Sequence, residues 1–211
     1  MSGGTPIVFV VDDDASVLRG LKRLLRSAGF TAETFASAPE FLERYDRNAT
    51  GCVILDLAMP GFDGLQMQKA LTDRSSVLPI IFLTGHGDIA TSVQAMKGGA
   101  VDFLTKPVTD EELLSAVRIA IQRCEALYRV REEIAIIRHR VATLTPREHE
   151  VLTHLLSGKL NKQIAADLGT VEHTIKVHRA RVMKKMQVDT LAALVRLAER
   201  ASIETTPPTE S

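Results

Sequence analysis

The sequence predicts an α/β doubly wound, five-stranded parallel sheet, joined by a helical linker to an all-α segment of four short helices. Two observations lead there. Between residues 6 and 125, five short apolar runs alternate with helical patterns, as in strand–helix–strand units. Beyond them, four helical patterns with their own start and stop residues fill about 144–203.

Ile7–Val11 is an unbroken apolar run, as expected of a parallel strand covered on both faces, and it ends in Asp12-Asp13-Asp14. Apolar residues at Val17, Leu18, Leu21, Leu24, Leu25 and Ala28 then predict a helix capped by Asp14 and stopped by Gly29. Thr31–Phe35 alternates as a second strand, and Ser37 is the cap of a helix through Tyr45. Cys52–Leu55 is the third strand, ending on Asp56. Met59-Pro60-Gly61 turns the chain towards a helix from about Leu65 to Asp73. Pro79–Leu83 reads as the fourth strand and leads into Thr84-Gly85-His86-Gly87. A helix over Thr91–Lys97 stops at Gly98-Gly99. Val101–Leu104 is the fifth strand, followed by Thr105-Lys106-Pro107 and a helix from about Asp110.

No Gly or Pro occurs from Val108 to Thr145. Apolar residues fall at Leu113, Val117, Ala120, Cys124 and Leu127, then at Val130, Ile134, Ile137, Val141 and Leu144. These are two helical seams separated by a phase slip. The pattern predicts one helix from Asp110 to about Val141. Its first seam should belong to the sheet domain. The second needs a partner, either the same helix of a second copy or the helical domain of its own chain. Thr145-Pro146-Arg147-Glu148 then opens a new helix with N-cap, N1 proline and capping box. It stops at Gly158. Asn161 is expected to cap Lys162–Leu168, followed by helices over His173–Met186 and Thr190–Ala201. The expected division is 6–125, a linker at 126–143, 144–203, and a disordered Thr- and Pro-rich tail at 204–211.

The net charge of zero conceals an asymmetry. Residues 1–125 hold 12 basic and 16 acidic residues, a balance of −4, and the remainder 14 and 10, a balance of +4. A basic C-terminal part points towards nucleic acid. Cys52 and Cys124 have no metal or disulfide spacing. The N-terminus lacks a signal pattern and no apolar run approaches about 18 residues, so a soluble cytoplasmic protein without a membrane segment is expected.

Asp12 and Asp13, Asp56, Thr84 and Lys106 lie at the carboxyl ends of strands one, three, four and five. Right-handed crossovers place those ends on one sheet edge, where open α/β sheets bind ligands. Clustered carboxylates repel one another unless a hard cation joins them, and Mg²⁺ suits carboxylate, water and phosphate oxygen. Asp56 then becomes a candidate nucleophile for a phosphoryl group, with Lys106 holding a phosphoryl oxygen. A phosphohydrolase with an Asp nucleophile is a rival reading, but such enzymes usually carry a second Asp two residues on, where Ala58 stands.

The acidic pair, the Asp before Met-Pro-Gly, the strand-four Thr and the Lys-Pro dipeptide resemble a two-component receiver domain, which has a flavodoxin-like fold, over about residues 6–125. The resemblance implies that Asp56 is the phosphoacceptor. It implies Mg²⁺ ligation by Asp13, Asp56 and the Ala58 backbone carbonyl, with Asp12 acting through water. It makes Thr84 and Phe103 the switch residues and the Lys106-Pro107 bond cis. Side chains two residues after Asp56 and Thr84 are placed to hold a hydrolytic water; here they are Ala58, which cannot hydrogen-bond, and His86, which can, so a fairly long-lived phosphoaspartate is expected.

In the second half, two short helices joined by a tight Gly turn read as helix-turn-helix. His173–Met186 carries Lys176, Arg179, Arg181, Lys184 and Lys185 with no acid. The segments Leu144–Leu152, Asn161–Ala165 and Thr174–Arg179 are similar to the LuxR-type DNA-binding domain. By that resemblance Lys176, Val177 and their neighbours Thr174, Arg179 and Ala180 face base edges, and Lys162, Arg181, Lys184 and Lys185 face phosphates. The whole chain resembles a FixJ/NarL-type response regulator, nearer the FixJ branch. The expected function is a phosphorylation-switched transcription regulator rather than an enzyme, most simply an activator. Its partners would be a sensor histidine kinase, promoter DNA, RNA polymerase and a second copy of itself. The alternative is a DNA-binding regulator independent of phosphorylation, its receiver serving as a dimerisation or ligand module.

Overall fold

The apolar runs of the first half form β1 (Ile7–Val11), β2 (Thr31–Phe35), β3 (Gly51–Leu55), β4 (Ile80–Thr84) and β5 (Asp102–Thr105). They make one parallel sheet in the order β2-β1-β3-β4-β5. The structure, a computed structural model, describes residues 5–46, 48–85 and 89–203. His86 and the 204–211 tail, both singled out above, lie outside the described residues. Contacts divide the chain into two units between Arg129 and Val130.

In the first unit, strand residues point alternately to opposite faces of the sheet. Val8, Val10, Cys52, Ile54 and Ile81 pack with Leu25 of α1 (Ala15–Ser27) and with Leu113, Val117 and Ala120 of α5 (Asp110–Ala142). Phe9, Val11, Val53, Leu55 and Phe82 pack on the other side. Their partners there include Phe41 of α2 (Ala38–Arg44), Met67 of α3 (Gly64–Asp73) and Ala95 of α4 (Ile89–Lys97). Asp14 and Ser37 cap α1 and α2 through bonds from the backbone N–H groups of Ser16 and Glu40. Both cysteines are buried and unpaired, and burial pushes the Cys52 thiol up to about 12.

The second unit holds α6 (Pro146–Leu156), α7 (Asn161–Asp167), α8 (Glu172–Met186) and α9 (Leu191–Arg200). Thr145 and Glu148 form the expected capping box. The reading of Asn161 as a cap needs correction, because Leu160 holds that position and Asn161 is the first helical residue. Leucine has no acceptor to offer, and the start is secured from the other side. The Leu160 N–H donates to Gln163 Oε1 at 2.8 Å. The basic helix also begins one residue early, so Glu172 lies inside it.

The breaker-free stretch is helical from Asp110 to Ala142, 33 residues in α5. Its two seams go to different cores. Leu113, Ala116, Val117, Ala120 and Cys124 are buried in the first unit. Ile137 is buried in the second, with Ile134, Val141 and Leu144 packed around the same core. Leu127 and Val130, which flank the phase slip, are exposed. The second seam is therefore covered by the helical domain of its own chain. Ile137→Ala should cost the second unit about 2–5 kcal/mol through lost burial and a residual cavity. Urea unfolding followed separately in each unit should show a lower midpoint for the second and none for the first; an unchanged second midpoint would contradict this packing.

Candidate functional site

From β1 the chain passes to β2 on one side, and β3 lies on the other, so the sheet order reverses between β1 and β3. Crevices at such reversals lie outside the carboxyl ends of the strands and take ligands. Asp12 follows β1 and Asp56 follows β3, and both are buried. Their backbones are held in the sheet, with Asp12 N–H donating to Phe35 O and Asp56 N–H to Val11 O. Gly64, at the start of α3, is close enough that a Cβ there would lie 2.7 Å from Asp56 O. Only a residue without a side chain lets that helix begin beside the site.

Lys106 comes from the loop after β5, and its N–H donates to Thr84 O at 2.8 Å. Its ammonium donates to Asp12 Oδ2 at 2.7 Å and to Asp56 Oδ1 at 3.0 Å. Burial alone would lower the Lys106 pKa. The bonds to Asp12 and Asp56, with their charges, outweigh it and raise the value above that of an ordinary lysine. The remaining oxygens accept backbone bonds, Asp12 Oδ1 from Asp14 N–H and Asp56 Oδ2 from Ala58 N–H. The Lys106-Pro107 bond is cis. Thr84 is fully buried at the end of β4, and Phe103 is half-buried against Phe82, with ring centroids 6.0 Å apart.

Around the Lys106 ammonium the structure gathers two of the three carboxylates, Asp12 and Asp56, and Asp13, next in the chain to Asp12, is exposed. Among the described residues no three His, Cys, Asp or Glu side chains form a group able to hold a metal. The lysine already offsets the repulsion that the sequence reading assigned to the ion. Mg²⁺ still fits the donors, because it needs only one or two carboxylates and keeps several waters. The oxygens of Asp12 and Asp56 each retain a further lone pair.

In the second unit, Ile175, Val182 and Met186 face the core, while Lys176, Val177, Ala180, Arg181 and Lys184 are exposed on α8. Lys162 is exposed on α7, and Thr174 is half-buried. Lys176 pairs with Glu172 at 3.2 Å, an exposed contact of small worth. Arg179 is half-buried and donates to Asn161 Oδ1 at 3.3 Å, tying α8 to α7. Lys185 departs from expectation. Its ammonium donates to Glu148 Oε2 at 2.6 Å and to Thr143 O at 2.9 Å. The buried Glu148 carboxylate has taken this cation for the fold. The Thr145–Glu148 spacing marks the cap role of Glu148 but carries no sign of its partner, 37 positions away.

Residues 8–118 match the response regulator receiver domain, and residues 142–198 match the luxR family of bacterial regulatory proteins. The chain is a response regulator. Nodulation protein W of Bradyrhizobium diazoefficiens is 46% identical over 197 residues, covering 93% of this chain and 87% of its own. The transcriptional regulatory protein FixJ of the same species is 43% identical, covering 93% and 96%. The response regulator protein TodT of Pseudomonas putida is 43% identical, covering 95% and 88%. Among solved structures, the response regulator StyR superposes with a TM-score of 0.82 at 46% identity, over 93% of this chain and all of that one. Full-length FixJ from B. japonicum gives 0.57 at 42% identity, over 94% and 98%. This response regulator thus carries a receiver followed by a LuxR-type DNA-binding domain. Receiver domains generally bind Mg²⁺ at the phosphorylation site. No helix among the described residues is long and apolar enough to cross a membrane.

The Lys185 bond, then the Thr145 backbone N–H, hold Glu148 below the ordinary glutamate range. A carboxylate with a depressed folded pKa adds stability above its unfolded value, about 4.3, and loses it as pH falls through the folded one. Thermal stability of the DNA-binding unit should therefore fall below about pH 4. Glu148→Gln should be less stable at neutral pH and show a shallower acid fall. An unaltered slope in an acid titration of melting temperature would show that the pair contributes nothing.

Proposed function

We propose that Asp56 accepts a phosphoryl group from a sensor histidine kinase, and that this change governs promoter binding through α8. The observation that carries the reading is the Asp12–Lys106–Asp56 arrangement at the β1/β3 reversal, in a chain that also presents a basic helix-turn-helix face. In the transfer an Asp56 oxygen bonds to phosphorus while the bond from phosphorus to the kinase histidine nitrogen breaks. The nitrogen keeps the electron pair. Lys106, already aimed between the two carboxylates, is placed to hold a phosphoryl oxygen. Asp13, Asp56 and the Ala58 carbonyl would hold Mg²⁺, with Asp12 acting through water; when bound, the ion neutralises phosphoryl charge. Ala58 offers no acid two residues after Asp56, which favours a lasting phosphoaspartate over hydrolytic turnover. Thr84 and Phe103 act as the switch pair.

The phosphorylated chain binds DNA as a homodimer in the cytoplasm, with RNA polymerase as its downstream partner. Ile89, Val93 and Met96 give α4 an exposed apolar stripe that a second copy would cover. On DNA, Thr174, Lys176, Val177, Arg179 and Ala180 lie towards bases, and Lys162, Arg181 and Lys184 towards phosphates. Lys185 drops out of that set, since Glu148 and Thr143 hold it.

Acetyl phosphate with Mg²⁺ should add one phosphoryl unit to the wild-type mass and none to Asp56→Asn. Equal labelling of both would remove Asp56 from the role. On duplex DNA, Lys176→Ala should change sequence preference, costing about 1–3 kcal/mol at the base it reads. Lys184→Ala should weaken all sequences alike and flatten the salt dependence by about one unit. Binding indifferent to both changes at fixed salt would take α8 off the DNA.

A further inference from the structure

The C-terminal turn of α8 ends on Gln187 in the left-handed conformation, at φ 56°. Backbone bonds from Gln187 and Val188 close on Lys184 and Met183, leaving later carbonyls to other donors. One donor comes from α5. Arg140 Nη1 donates to Met186 O at 3.2 Å, a partly buried bond across 46 residues. In the opposite direction, Lys185 of α8 donates to Thr143 O, just past the end of α5. Two cations thus cross between the same two helix ends. The apolar layer beneath joins them too, with Ile137 and Val141 in one core with Val182 and Met186. A cation at a helix C-terminus is also favoured by the helix dipole.

We propose that Arg140 is a positioning residue for sequence reading by α8, acting from the end of the linker helix without touching DNA. The inference rests on α8 being the helix that reads bases. Lys176 lies ten positions before Met186, about 15 Å along the helix axis. A tilt of about 10° at the clamped end would move the reading end by about 2–3 Å, enough to break hydrogen bonds to base edges. Phosphate contacts, made by long flexible lysines, tolerate such a shift better. Releasing the clamp therefore lowers discrimination more than affinity.

The test uses the full chain, a duplex selected from a random library by wild type, and a scrambled duplex. Arg140→Met keeps the apolar stem and removes the donors. It should lower the preference for the selected duplex about five- to tenfold, the scale of one base contact, with scrambled-duplex affinity and salt slope unchanged. Arg140→Lys, the gentler change, can still donate to Met186 O and should keep most of the preference. Equal loss on both duplexes, through unfolding or through a lost phosphate contact that lowers the salt slope by about one, overturns the proposal. So does unchanged preference in Arg140→Met, or a Lys variant no better than the Met variant. Lys176→Ala separates the two ideas. If it leaves preference intact, α8 is not the reader; if it lowers preference while Arg140→Met does not, only the positioning role fails.

Discussion

An ammonium held between two buried carboxylates is the contact on which the receiver depends. Asp12 and Asp56 stand at the ends of neighbouring strands, where their charges repel inside a weakly screening environment. Lys106 reaches both from the loop after β5, the edge strand, and their joint attraction overcomes the cost of its own burial. The parallel registers bring the ends of β1 and β3 level, Val11 beside Leu55, and carry β4 and β5 two residues further, to Thr84 and Thr105, just before Lys106. The arrangement also leaves a cation where phosphoryl charge would arrive. The same charges that make the site costly to build make it suited to an anion.

The DNA-binding unit repeats this logic for a different end. Glu148 is a buried carboxylate with one cation, Lys185, drawn from a helix far along the chain. That pair fastens the start of α6 to the end of α8. Arg147 does similar service for α7, donating to Leu168 O at 2.6 Å. Once these contacts have claimed their cations, the exposed positive charge on α8 reduces to Lys176, Arg181 and Lys184. The basic helix is thus part fastening and part contact surface.

Much of the receiver was legible because its chemistry sits at strand ends. The apolar runs announce five buried strands, and handedness then puts Asp12, Asp56, Thr84 and Lys106 on one edge. Boundaries slipped by one or two residues, as at α4, where Ile89 and Ala90 continue the helix beyond the apolar periodicity. Asn161 misled because a good capping residue one position into a helix looks the same in sequence as one at its cap. Nothing local distinguishes Asp12, which is buried, from Asp13, which is exposed.

The sequence by itself determined the order of elements, the parallel sheet, the unbroken α5 and the identity of the acidic and basic residues at the site. Those follow from periodicity, from Gly and Pro punctuation and from strand-end placement, all of them local. Only the tertiary structure decided which charges meet: Lys106 with Asp12 and Asp56, Lys185 with Glu148, and Arg140 with the Met186 carbonyl. It also decided that the second seam of α5 lies in the DNA-binding unit. These pairings join residues tens of positions apart, and a long charged side chain carries no mark of the partner it will reach. Burial makes that choice, because a carboxylate removed from water must take the nearest cation the fold brings to it.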